Sequence, residues 1–204
     1  QKAAEKAAAI SRQMLDYSGC GRFHIERLDL ARLAERLQPL LQSSMPAGIR
    51  LELEAAGGTA AEVQADASQL EQVLVNLVTN ASEAIAGDGT VMLRTGTVTA
   101  DEAMLASGAN SDTLTPGAYA VLEVHDTGGG MDDATRGRMF DPFFSTRGVG
   151  RGMGLAAVLG IVRGHHGTIL VDTAPGRGTR LQVLLPLAGG NDAAALKPER
   201  RSDA

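Results

Sequence analysis

From Lys2 to Tyr17 apolar residues recur at intervals of four and three: Ala3, Ala7, Ile10, Met14 and Tyr17. That seam predicts a helix that either packs on another helix or lies amphipathically on its own domain. Two glycines in "SGCGRF" break it. A second helix is predicted after Asp29 as N-cap, with Leu30, Leu33, Ala34, Leu37 and Leu41 on one face. Pro39 inside it predicts a kink or an early end. "IRLELEA" and "AEVQA" alternate with period two around "AGGTA", which reads as a hairpin. Asp66 is placed to cap a long helix reaching about Ile85, and "VMLRTGTVT" and "YAVLEVHD" read as strands. Between them, the polar stretch from Asp101 to Gly117 reads as a surface connection. A Gly-rich stretch from Gly128 to Gly154 leads into a helix to about Arg163. "TILVDTA" and "TRLQVLLPL" flank "PGRG" as a last hairpin, and a polar tail from Gly189 reads as a disordered linker. Strands on both sides of a few helices predict an α/β layered domain.

The helix around "VNLVTNASEAI" carries an anomaly. Leu70, Val73, Leu74, Leu77, Val78, Ala81 and Ile85 form one apolar stripe at 100° per residue. Asn76, Asn80 and Glu83 form a second stripe about a quarter-turn or more away, although Asn is a poor helix-interior residue. Taken alone, that stripe fits solvated surface amides, or oxygen ligands for a hard cation such as Mg²⁺ that shares its shell with phosphates.

Composition narrows the classes. Of 204 residues, 44% are hydrophobic and 21% charged, which suits a globular domain with or without an appendage. The net charge of -5 carries no basic footprint for nucleic acid. Aromatics are 3% and Trp is absent, so the core must be aliphatic. One cysteine, Cys20, excludes an internal disulfide and suits a reducing, cytoplasmic setting. No apolar run approaches the ~20 residues of a membrane span. Beginning at Gln1 without Met, the chain reads as a fragment of something longer.

Two glycine segments add candidate chemistry. "VHDTGGGM" ends a strand with Asp126 and then Gly128 to Gly130. A carboxylate there accepts hydrogen bonds, as from an adenine amine, while glycine lets backbone approach a ligand; a plain turn reads the same way. "RGVGRGMGLAAV" sets Gly150, Gly152 and Gly154 before an apolar helix, whose N-terminus is a phosphate site. It is neither a Walker A loop nor G-x-G-x-x-G. Between these, "MFDPFFSTR" holds three of the chain's four phenylalanines. They read as anchors of a lid, or simply as core. Arg147 and Arg151 stand where they would reach phosphates, or water.

Taken in order, "EQVLVNLVTNASEAI", "DTGGGM", "FDPFFSTR" and "GRGMGLAAV" resemble the N, G1, F and G2 boxes of sensor histidine kinases, and "HHGTILVDTAPGRGTRLQVLLP" resembles the end of the same domain. The resemblance runs from about Leu28 to Leu187. It implies the GHKL (Bergerat) fold, a two-layer α/β sandwich of mixed sheet on helices, here with an N-terminal helical segment. It implies residues 1–27 as the end of a dimerisation helix and connector, 28–187 as the catalytic ATP-binding domain and 188–204 as a tail. By resemblance, Asn80 is the Mg²⁺ ligand and Asn76 its polar neighbour in the ATP site. Asp126 is the adenine-binding carboxylate, Gly128, Gly130, Gly152 and Gly154 line nucleotide and lid, Arg147 faces the terminal phosphate, Arg151 reaches phosphate, and Thr179 lies near adenine.

Relatives of the gyrase B, MutL and Hsp90 type hydrolyse ATP with a Glu four residues before the metal Asn. Here that place is Asn76, whose amide does not titrate, which favours phosphotransfer over hydrolysis. Two departures stand out: Glu83 replaces a common basic residue, and none of His24, His125, His165 and His166 stands where a phosphoacceptor belongs. The implied protein is a two-component kinase domain. Its γ-phosphate acceptor is a histidine on a dimerisation domain outside this chain, and a response-regulator receiver domain acts downstream. A gyrase- or Hsp90-type ATPase, an anti-sigma serine kinase and a non-catalytic nucleotide-binding scaffold are the competing readings.

Overall fold

The computed structural model of the chain describes residues 24–55, 61–110, 114–146 and 152–189. The seam helix, the "AGGTA" linker, Arg147, Arg151 and the polar tail beyond Gly189 lie outside the described residues.

Strand β1 (Ile25–Asp29) enters helix α1 (Leu30–Ser44), and the Asp29 carboxylate accepts the Ala31 and Arg32 amides at its N-terminus. Those amides have no partner inside the helix, so the cap satisfies them. Leu30, Leu33, Ala34, Leu37 and Leu41 are the buried stripe, as the spacing predicts. Pro39 does not end the helix, which continues to Ser44. The i−4 carbonyl that loses its bond belongs to Glu35, on the exposed side, where solvent is free to take the place of the missing amide.

Strands β2 (Ile49–Ala55) and β3 (Glu62–Asp66) are not a hairpin. β2 runs parallel to β4 (Gly89–Ala100), whereas β3 pairs antiparallel with β1 in a separate two-stranded sheet. Alternation in sequence marks each as a strand but is silent on its partner. Helix α2 (Ala67–Ala84) follows β3. The Asp66 carboxylate caps it, accepting the Ser68 amide at 3.0 Å, the Gln69 amide at 3.3 Å and the Ser68 hydroxyl at 2.6 Å. Burial works against the charged form, but these bonds and one from the His24 amide hold its carboxyl below the usual carboxylate range.

After β4, the predicted surface connection contains a one-turn helix, α3 (Glu102–Ala106), and buries Leu105. Leu105, Ala100, Tyr119, Val121, Leu170 and Leu184 make a small second core. Strand β5 (Gly117–Asp126) precedes a short helix α4 (Asp133–Arg138), and α5 (Gly154–Gly164) precedes the hairpin β6 (Thr168–Thr173) and β7 (Thr179–Pro186). The main sheet has the order β2-β4-β5-β7-β6, parallel only at β2–β4. The main core joins α1, α2 and α5 to one set of alternating sheet positions, among them Leu93, Leu122, Val183 and Ile169. A mixed sheet packed on helices is the expected α/β sandwich.

One buried polar residue ties these layers. His165 follows α5 and is 1% exposed. Its Nε2 accepts the Asp66 amide at 3.0 Å, which leaves Nδ1 to donate to the Ile161 carbonyl at 2.8 Å. The ring is therefore neutral, and burial pushes its pKa down from the ordinary 6.5, against the opposing pull of the Ile161 carbonyl and the Asp66 charge.

Candidate functional site

One cavity of about 690 Å³ opens between α2, the end of β5, the loop behind it and the start of α5. Asn80, Asp126, Gly130, Gly152, Gly154 and Thr179 all line it, so residues far apart in sequence converge on one space. Its apolar wall includes Leu77, Val124, Met131, Leu155 and Leu181. An apolar wall with a few convergent polar groups suits an aromatic ligand that carries a polar edge.

Asp126 is 4% exposed at the end of β5. Its Oδ1 accepts the Gly128 amide at 2.8 Å, which fixes the carboxylate as the chain turns away. The loop then lies on the C-terminal turn of α2, where the Gly129 amide takes the Ala84 carbonyl at 3.2 Å. That carbonyl has no partner within the helix. A Cβ on Gly128 would stand 2.5 Å from the same oxygen. Gly130 has φ +65, and a Cβ there would stand 2.0 Å from the Ala174 carbonyl oxygen. The loop thus docks, backbone on backbone, against the β6–β7 turn, with the Gly176 amide on the Gly129 carbonyl at 2.7 Å.

At the other end of the cavity, α5 begins at Gly154 with no side-chain cap among the described residues, and the positive end of its dipole lies there. Gly154 faces α2: a Cβ there would lie 3.6 Å from Asn80 Nδ2 and 3.7 Å from Asn76 Oδ1. Asn76 Nδ2 is buried and has no hydrogen-bond partner among the described residues. An orphaned buried amide beside an uncapped helix start fits a ligand with oxygen atoms at this place. Of the second stripe, Asn80 and Glu83 line the cavity, whereas Asn76 is not among the lining residues and lies against the start of α5.

The phenylalanine segment divides its roles. Phe140 packs on the main core, while Phe144 lines the cavity and stacks under the Arg138 guanidinium, 4.3 Å from the ring centre. Phe143 is 66% exposed with φ +66, and its amide donates to the Gly152 carbonyl at 2.9 Å. That bond joins the two ends of the segment holding Arg147 and Arg151. Among the described residues lining the cavity, the charged ones are Glu83, Asp126 and Asp132, all acidic. Hydrogen bonds from Thr135 hold the Asp132 carboxyl below its ordinary range.

Sequence reasoning did not single out Thr173, whose hydroxyl accepts the Met131 amide at 3.0 Å and contacts Thr179 Oγ1 at 3.0 Å. The signal was faint: two threonines bracketing "APGRG".

Residues 65–189 match the family described as histidine kinase-, DNA gyrase B- and HSP90-like ATPases. The chain belongs to that family. It is 37% identical over 186 residues, 90% of its length, to the sensor kinase CckA of Brucella abortus (strain 2308), and spans 19% of that relative. Among solved structures it resembles a mycobacterial sensor histidine kinase, MprB, at 26% identity and TM-score 0.61, covering 80% of this chain and 97% of that one. It shares the fold of full-length ShkA in complex with AMPPNP at TM-score 0.70 and 21% identity, over 92% of this chain and 37% of that one. The expected fold and family are thus established. No helix among the described residues is long and apolar enough to cross a membrane.

Proposed function

We propose that this chain is the ATP-binding catalytic domain of a two-component sensor histidine kinase, transferring the γ-phosphate of ATP to a histidine on its dimerisation domain. The observation that carries the reading is one cavity with a buried carboxylate at one end and, at the other, the Asn76–Asn80 helix face opposite an uncapped helix start. Asp126 receives the adenine amine, with Thr179 beside it, and Gly130 brings backbone close to the base, while Gly128, which does not line the cavity, lets the loop lie on the end of α2. Gly152, Gly154 and the amides of α5 take the phosphate end, Asn80 supplies an amide oxygen to Mg²⁺, and Asn76 completes the polar face.

The described lining carries acidic residues and no basic one, so a polyphosphate needs compensating charge. Mg²⁺, Arg147 and Arg151 provide it in this reading. Bound Mg-ATP supplies the phosphoryl group and a metal that neutralises the charge developing on it. The chain's own work is to hold that group, keep water from its far side and present it to the incoming imidazole. Asn76 cannot take a proton from water, which disfavours hydrolysis. In this reading the domain begins with β1 at Ile25 and runs to about residue 187, the residues before it end a dimerisation helix and its connector, 188–204 are a linker, and a receiver domain in the cytoplasm accepts the phosphate next.

Supplying the chain with the dimerisation domain of its own longer protein and γ-labelled ATP tests this. The expected product is acid-labile, base-stable label on that domain, absent with Asp126→Asn. Steady release of inorganic phosphate without such label would instead support an ATPase.

A further inference from the structure

Thr173 is the last residue of β6, pairs in register with Thr179, and does not line the cavity. Among the described residues its hydroxyl has three polar neighbours at 3.0 Å: the Met131 amide, the Gly178 carbonyl and the Thr179 hydroxyl. A hydroxyl has one hydrogen and two lone pairs. The amide only donates and the carbonyl only accepts. Thr173 therefore gives its hydrogen to Gly178 and one lone pair to Met131, and its remaining lone pair faces Thr179. All three contacts are satisfied only when Thr179 is the donor to Thr173. The Thr179 hydrogen is then turned away from the cavity, and the oxygen shows the cavity lone pairs alone.

Thr179 is also in register with Asp126 on β5, and both line the cavity. A carboxylate likewise accepts only. Two acceptors side by side match a group with two hydrogens, such as an exocyclic amine, and repel a carbonyl oxygen at the same place. Resting on the ATP reading above, we propose that Thr173 is a positioning residue: by orienting the Thr179 hydroxyl it makes the cavity favour a 6-amino over a 6-oxo purine. Freed from Thr173, the Thr179 hydroxyl can swing its hydrogen to the cavity and donate to a 6-oxo group.

The test titrates wild type, Thr173→Val and Thr173→Ser with ATP, inosine triphosphate and purine riboside triphosphate, which has no substituent at position 6, all with Mg²⁺. Wild type should prefer ATP to inosine triphosphate. Thr173→Val should shrink that ratio about fivefold, the weight of one neutral hydrogen bond, and Thr173→Ser should restore it. A merely structural Thr173 would weaken all three nucleotides together; an unchanged ratio in Thr173→Val overturns the proposal. Should Thr173→Val not fold, Thr179→Val decides. It should weaken ATP and, with one of the two repelling acceptors gone, strengthen inosine triphosphate, each relative to purine riboside triphosphate; selective weakening of inosine triphosphate would mean that Thr179 donates, and would overturn it. Wild type that binds ATP and inosine triphosphate equally refutes this inference alone. Wild type that binds neither, while folded, removes the ATP reading and this inference with it.

Discussion

Gly130→Ala is a sharp probe of how the site is built. The residue sits at φ +65, where an L side chain costs about 1–2 kcal/mol. Its new Cβ would stand 2.0 Å from the Ala174 oxygen, a backbone atom that cannot swing aside. Carbon–oxygen contacts begin near ~3.3 Å, so loop and turn must part by roughly 1.3 Å. The Gly176–Gly129 bond at 2.7 Å and the Met131–Thr173 bond at 3.0 Å would both be lost. At about 1 kcal/mol each, the total destabilisation is about 3–4 kcal/mol. Two neighbours serve as controls. Gly176 has φ +75 with nothing within 4 Å of a Cβ, so Gly176→Ala should cost only the conformational part, about 1–2 kcal/mol. Gly129 has open space and no left-handed φ, so Gly129→Ala should be neutral or stabilising by up to about 1 kcal/mol. Urea unfolding followed by circular dichroism gives the three values. A Gly130→Ala curve indistinguishable from that of Gly129→Ala would refute the backbone docking described here.

Three further outcomes are expected. His165 is held neutral, so below about pH 6.5 the unfolded chain takes up a proton that the folded chain excludes; stability is full above that pH and falls below it by at most about 1.4 kcal/mol per pH unit. His165→Gln keeps a donor and an acceptor but cannot titrate; urea midpoints across that range should lose this part of the slope, and equal slopes would contradict the assignment. Leu74 is fully buried, and Leu74→Ala should cost about 2–5 kcal/mol in the same unfolding assay. Asn76→Glu places a titratable group where the hydrolysing relatives carry one; phosphate release should rise at least about tenfold, a fraction of what a positioned base supplies, and no gain would show that the missing base is not what restrains hydrolysis.

Much of this was legible before any coordinates. Asp29 and Asp66 announced their helices because a short acceptor before an apolar period has one economical use, and both cap as expected. "PGRG" between alternating runs gave the β6–β7 hairpin, since turn chemistry and pairing are local there. The same logic failed for β2 and β3, whose partners lie across the chain, β4 reached only after α2 and β1 only across α1 and β2. Helix α4 was missed because its six residues include Gly137 inside a Gly-rich stretch, although Asp132 caps it. The Asn76–Asn80 stripe could be seen but not aimed; only the start of α5 against it shows a cleft. Thr173 was invisible because its meaning lies in three partners at different distances along the chain.

Calorimetric titration of the folded chain with ATP, with and without Mg²⁺, decides whether the cavity is a nucleotide site. The ATP-site reading requires one site per chain, dependence on Mg²⁺, loss of that dependence in Asn80→Ala, loss of binding in Asp126→Asn, and little sustained heat from turnover. A folded wild-type chain that gives no binding heat at any temperature tried, and no protection against unfolding by Mg-ATP, would contradict it.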